Sequence, residues 1–130
     1  MALILAINEE KDSLTLAERI LRREGHLVVP FVRAQEAMDW LKGHSPDVVL
    51  ASGGWHGEKA KDMVDVLKRA GIPGAKILLL TGQEALVSLR KTFQHEVRGV
   101  IQEPAYHDDL LRLVNSVLKE RSNPDGFHGA

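Results

Sequence analysis

Apolar runs alternate with segments of helical period five times along this chain. The runs Ala2 to Ile7, His26 to Val32, Asp47 to Ala51, Lys76 to Leu80 and Gly99 to Gln102 are short, and most are nearly continuously apolar. Runs of this kind mark strands buried on both faces, as in parallel sheets covered by helices. Pro30 interrupts the second run and has no N–H to give to a ladder, which suits an edge strand. Between the runs the apolar positions fall at three- or four-residue spacing. Leu14, Ala17, Ile20 and Leu21 mark the first helical face, and Ala34, Ala37, Met38 and Leu41 the second. Met63, Val64 and Leu67 mark the third, Ala85, Leu86, Leu89 and Phe93 the fourth, and Leu110, Leu113, Val114 and Val117 the fifth. Gly25, Gly43 and Gly71 follow the first three periodic stretches, where helix C-terminal glycines belong. Five strand–helix pairs predict an α/β fold with helices on both faces of a parallel sheet.

From Arg121 the period stops, and Ser122-Asn123-Pro124-Asp125-Gly126 opens a turn-rich stretch. The expected organisation is one domain over residues 1–120 and a tail or linker over 121–130. A chain of 130 residues suits a single core. A hydrophobic share of 44% with 27% charged residues favours neither disorder nor a membrane protein. The apolar N-terminus turns acidic after Ile7, too soon for a signal peptide or a membrane span. With 17 basic against 18 acidic residues, no global field draws the chain to nucleic acid or an anionic membrane. The absence of cysteine removes disulfides, thiolate nucleophiles and Cys-ligated zinc, which agrees with a cytoplasmic location. The six histidines show no paired metal-ligand spacing.

Four motifs carry a family resemblance. Arg23-Glu24-Gly25-His26 leads into a strand, Pro46-Asp47-Val48-Val49-Leu50 forms the third, Leu78-Leu79-Leu80-Thr81-Gly82 ends the fourth, and Arg98-Gly99-Val100-Ile101-Gln102-Glu103-Pro104 spans the fifth. In this order and spacing they resemble the receiver domains of two-component response regulators, the CheY-like family, over roughly residues 2–120. The resemblance implies a flavodoxin-like, doubly wound five-stranded parallel sheet of order 2-1-3-4-5. In such a sheet the ligand site lies beyond the carboxyl ends of the strands, where the order reverses.

At that edge the family carries two acidic residues, an acceptor Asp, a hydroxyl and a Lys. The matching positions here are Asn8 and Glu9, Ser52, Thr81 and Glu103. Magnesium prefers hard oxygen ligands in octahedral array, and of the family's carboxylates only Glu9 remains. Ser52 is un-ionised, and no base for it is evident in the sequence. Glu103 would repel a phosphoryl group where a Lys would pair with it. The family's switch aromatic on the fifth strand matches Val100. Pro104 is retained, and the resemblance implies a cis peptide before it.

The chain therefore reads as a pseudo-receiver, a degenerate domain lacking the phosphoacceptor. No catalytic residue, metal or cofactor is expected. The pocket formed by Asn8, Glu9, Ser52, Thr81 and Glu103 is vestigial on this reading. The expected partner is a protein, whether a kinase, an effector domain or a second copy. It would bind through the fourth helix, fifth strand and fifth helix, with Val87, Val100 and Tyr106 on that face. Neither nucleic acid nor membrane is an expected partner. Two alternatives stand beside it. One is a working phosphorelay receiver with an unusual acceptor, such as Ser52, Glu9 or Glu10. The other is a flavodoxin-like small-ligand binder, although the acidic stretch Asn8-Glu9-Glu10-Lys11-Asp12 suits phosphate poorly. Ser52-Gly53-Gly54 could form a small anion nest, though a relaxed loop accounts for it, and Trp55 beside it could be a docking anchor, though a Trp folded over the vacant pocket is the commoner arrangement.

Overall fold

A computed structural model describes residues 1–52, 57–103 and 107–121. Five strands are each followed by a helix: β1 (Leu3–Asn8), α1 (Lys11–Arg23), β2 (Leu27–Phe31), α2 (Ala34–Leu41), β3 (Val48–Ser52), α3 (Gly57–Arg69), β4 (Ile77–Thr81), α4 (Gln83–Phe93), β5 (Gly99–Gln102) and α5 (His107–Arg121). All four pairings are parallel and the strand order is β2-β1-β3-β4-β5. This is the doubly wound sheet that the alternation of patterns predicts.

Alternation along each strand divides the core into two layers. Leu5, Ile7, Val49, Ala51, Ile77 and Leu79 point to one side, where Ala37 of α2, Val64 and Leu67 of α3, and Leu89 and Phe93 of α4 cover them. Ile4, Ala6, Val48, Leu50, Leu78 and Leu80 point to the other, beneath Leu14 and Leu21 of α1 and Leu110, Val114 and Val117 of α5. Each fully buried aliphatic side chain contributes about 1.5–3 kcal/mol relative to exposure, so both faces need their helices.

Pro30 lies on the edge strand β2, where its missing N–H breaks no central ladder. Gly25 and Gly71 take positive φ after α1 and α3, the left-handed turn that stops a helix. Gly43 does not; α2 instead ends in a right-handed turn, with the Gly43 N–H donating to the Trp40 carbonyl. The amino ends of the central strands are tied by Asp47, whose side chain accepts the Leu3 N–H at 2.9 Å while its own N–H donates to the Leu3 carbonyl.

Three strands begin and end one residue later than the apolar runs. Asn8, Ser52 and Thr81 are strand residues, with Asn8 opposite Ser52 and Thr81 opposite Gln102. The helix α5 ends at Arg121, and the expected tail beyond it lies outside the described residues. Among the described residues no helix is long and apolar enough to cross a membrane.

Candidate functional site

The carboxyl ends of β1, β3 and β4 hold the three buried polar side chains of the described residues. Asn8 is 5% exposed, Ser52 2% and Thr81 1%. Polar groups at this depth need partners, since an unmet donor or acceptor costs roughly 1–3 kcal/mol. Glu103, the residue after β5, supplies them. Its N–H donates to the Thr81 carbonyl at 2.7 Å, which fixes its backbone against the end of β4. From there its side chain reaches back toward the sheet centre. The Ser52 hydroxyl donates to Glu103 Oε1, and Asn8 Nδ2 donates to Glu103 Oε2 at 3.2 Å. Asn8 Oδ1 in turn accepts the Glu10 N–H at 2.8 Å, an Asx-type turn that orients the amide for this role.

Both oxygens of one half-buried carboxylate are thus held by neutral donors from β1 and β3. The sequence reads Glu103 as a charge that would repel a phosphoryl group; the structure adds that its carboxylate accepts hydrogen bonds from Ser52 and Asn8. Donors and acceptors in the pocket are therefore matched. No base for Ser52 is evident in the sequence, and in the structure its hydroxyl donates to Glu103. The pairing was hidden because the two residues lie 51 positions apart.

Of the five expected pocket residues, Asn8, Ser52 and Glu103 meet through side chains, and Thr81 joins them at the adjacent strand end. Glu9 is exposed beyond β1. The donor set does not fit magnesium. It comprises one amide, hydroxyls and a single carboxylate whose two oxygens already accept hydrogen bonds, where a hard divalent cation wants several free anionic oxygens. Among the described residues no three acidic or histidine side chains are grouped to hold a metal ion.

On the expected interaction face, Val87 is 78% exposed on α4. Val100 is not on the surface; at 6% exposure it belongs to the core layer with Leu79 and Leu89, because alternation along β5 turns it inward. Only its carbonyl serves that side, accepting Arg90 Nε at 3.0 Å. Pro104 with its expected cis peptide, Tyr106, and the loop residues Gly53, Gly54, Trp55 and His56 lie outside the described residues.

No protein-family model matches the sequence, and no curated protein matches it. Solved structures do match in fold. A response-regulator receiver domain from Clostridium thermocellum superposes with a TM-score of 0.78 at 19% identity, covering 95% of this chain and 98% of its own. The receiver domain of a Francisella response regulator gives 0.78 at 13% identity, over 93% and 99%. The N-terminal domain of a response regulator/sensory box/GGDEF three-domain protein from Carboxydothermus hydrogenoformans gives 0.76 at 17% identity, over 95% and 99%. The chain has the CheY-like flavodoxin fold that these receiver domains share.

Proposed function

We propose that this chain is a non-catalytic pseudo-receiver, a cytoplasmic protein-interaction module of two-component-type signalling that works without phosphorylation. The observation that carries the reading is the double hydrogen bond from Ser52 and Asn8 to the Glu103 carboxylate. A phosphoryl group bound at the end of β3 would need this volume and would meet a negative charge in it. Phosphoryl transfer relies on cations that neutralise the charge spreading over the equatorial oxygens, and none lies in this hydrogen-bonded cluster. The fold suits such a role, since the Carboxydothermus domain it resembles is one part of a three-domain protein.

The same geometry supports one competing reading. A serine hydroxyl donating to a carboxylate is the beginning of an activated nucleophile. Glu103 would be the base, and Ser52 the acceptor of an atypical relay. Incubation with acetyl phosphate and magnesium, followed by intact-mass measurement and amide spectra, separates the two. The pseudo-receiver leaves both mass and spectrum unchanged. A gain of one phosphoryl mass, or saturable shifts centred on Asn8, Ser52 and Thr81, would overturn it in favour of the relay.

A further inference from the structure

We infer that the open edge of β2 is a latent strand-addition site for the β2 of a second copy of this chain, and that Arg22 is the latch that keeps it closed. The inference is independent of the chemistry at Ser52 and Glu103. Among the described residues β2 pairs with β1 alone, so its other side is an edge of the sheet. Such an edge turns backbone N–H and C=O groups outward and is a template for a further strand unless something blocks it. The Leu27 N–H donates to the Ala2 carbonyl at 2.8 Å, and alternate residues of a parallel strand bond to the same neighbour. Leu27, Val29 and Phe31 are therefore turned toward β1, and Val28 and Pro30 away from it. Pro30 has no N–H, so Val28 carries the outward donor of β2.

Arg22 closes this edge at the same residue. From the last turn of α1 its Nη2 donates to the Val28 carbonyl at 3.0 Å. Glu18, one turn earlier on α1, holds the same nitrogen at 2.7 Å. The guanidinium thus bridges a carboxylate on the helix and the outward carbonyl of the strand. The Arg22 side chain is 56% exposed, so core packing does not hold it there, and an ion pair that exposed contributes little. The latch can therefore be removed without dismantling the fold.

The strand that fits the opened edge is a second β2, antiparallel about a two-fold axis beside Val28. In that register each Val28 N–H meets the Val28 carbonyl of the other copy, a reciprocal pair of hydrogen bonds. Leu27 then falls opposite Val29 of the other copy, so a side chain that is 55% exposed gains an apolar cross-strand neighbour. The next outward position sets Pro30 against His26, whose N–H already donates to the Leu21 carbonyl at 3.2 Å. Hydrogen bonding across the axis rests on Val28, the residue whose carbonyl Arg22 occupies. The axis would also bring the two Arg22 guanidiniums together, and like charges set against each other suppress association. A second copy is preferred to an unrelated extended peptide because two-fold pairing covers both open edges at once, whereas an added peptide leaves a new one.

Sedimentation and amide hydrogen exchange of the full chain test the latch. The wild-type protein is expected to sediment as a single chain, with the Val28 amide exchanging freely while that of Val29, turned toward β1, is protected. Arg22→Ala is expected to dimerise at a concentration about tenfold or more below any at which the wild type does. Its Val28 amide should become protected as the dimer forms. Glu18→Ala frees the guanidinium from its anchor and should move both readouts the same way to a smaller degree; it decides the question if Arg22→Ala fails to fold. Leu27→Lys added to Arg22→Ala should restore the single chain, because a lysine on an edge strand opposes pairing. A wild-type dimer that already protects Val28 overturns the latch. So does an Arg22→Ala protein that stays a single chain with rapid Val28 exchange, or a dimer whose newly protected amides lie away from β2. None of these results touches the phosphoacceptor pocket, whose reading fails only if the phosphodonor experiment marks Ser52.

Discussion

Among the described residues the Glu103 side chain is met by two neutral donors, the Ser52 hydroxyl and the Asn8 amide. The arrangement is self-consistent, and this makes single changes informative. Ser52→Asp removes one donor and sets a second carboxylate against the first, so like charges share one site. The expected loss of stability is about 1–3 kcal/mol at neutral pH, the range for an unmet buried polar group. Glu103→Lys alone leaves a cation with no anionic partner at the strand ends. Made together, the two changes place an Asp opposite a Lys, and measurable magnesium binding is expected where neither single variant shows it. Adding Asn8→Asp should strengthen that binding further. Calorimetric titration of the variants gives the coupling directly. Equal, poor binding by all of them, or simple additivity, would mean that residues 52 and 103 do not form one vestigial acceptor pocket. The identities of these residues were legible in the sequence. Their relation was not, because residue type alone told of a repelling charge where the folded chain makes a hydrogen-bonded one.

At the scale of elements, the ends of the strands matter most. The apolar runs stop at Ile7, Ala51 and Leu80, yet the ladder continues through Asn8, Ser52 and Thr81. Polar residues that end a buried strand give no hydrophobic signal, so periodicity places the strands correctly but leaves the site residues just outside them. The opposite edge shows how β1 and β2 are joined. The Ala2 N–H donates to His26 Nδ1 at 3.2 Å, which requires the neutral ring. Burial lowers the His26 pKa below its ordinary value, and the nearby N-terminal charge lowers it further, with Glu24 opposing. The unfolded chain then binds a proton at this site more readily than the folded one. The contribution is fully present above a pH of about 6.5 and is lost as pH falls from there through the folded pKa. Denaturant titrations across that window should show stability falling toward acid, and His26→Gln should flatten the slope. An unchanged slope in the variant would remove His26 as its source. Between α3 and β4 the turn Gly74–Lys76 runs against the end of α4, and a Cβ at Gly74 would overlap the Glu96 carbonyl oxygen. Backbone cannot yield as a side chain tip can, so Gly74→Ala should cost about 1–3 kcal/mol in chemical denaturation. A gain in stability there would contradict the close approach.

The whole molecule is two core layers sharing one sheet, and the sequence declared this through alternation within its apolar runs and helical period between them. Val48 and Val49 are neighbours in the chain and both fully buried, yet they belong to opposite layers. What periodicity could not declare is the latch on the sheet edge, since Arg22 of α1 and Val28 of β2 meet only when the helix packs beside the strand that follows it. The shared sheet also fixes how the two layers fail. Removing side-chain volume from either one loosens strands on which the other depends, so neither can melt alone. Val64 on α3 and Val114 on α5 are fully buried on opposite sides and share no core cluster. Val64→Ala and Val114→Ala should each cost roughly 2 kcal/mol from lost transfer free energy and the residual cavity. The double variant should lose the sum to within about 0.5 kcal/mol, as distant sites without common partners do. In a Trp55→Phe background, backbone circular dichroism and the fluorescence of Trp40, which packs at the margin of the first layer, should trace one coincident transition in all four proteins. If Val64→Ala moves the fluorescence transition ahead of the circular dichroism, the layer of α2, α3 and α4 is a separate unit. The strand ends at Asn8, Ser52 and Thr81 would then lie on a sheet that outlasts half of its cover.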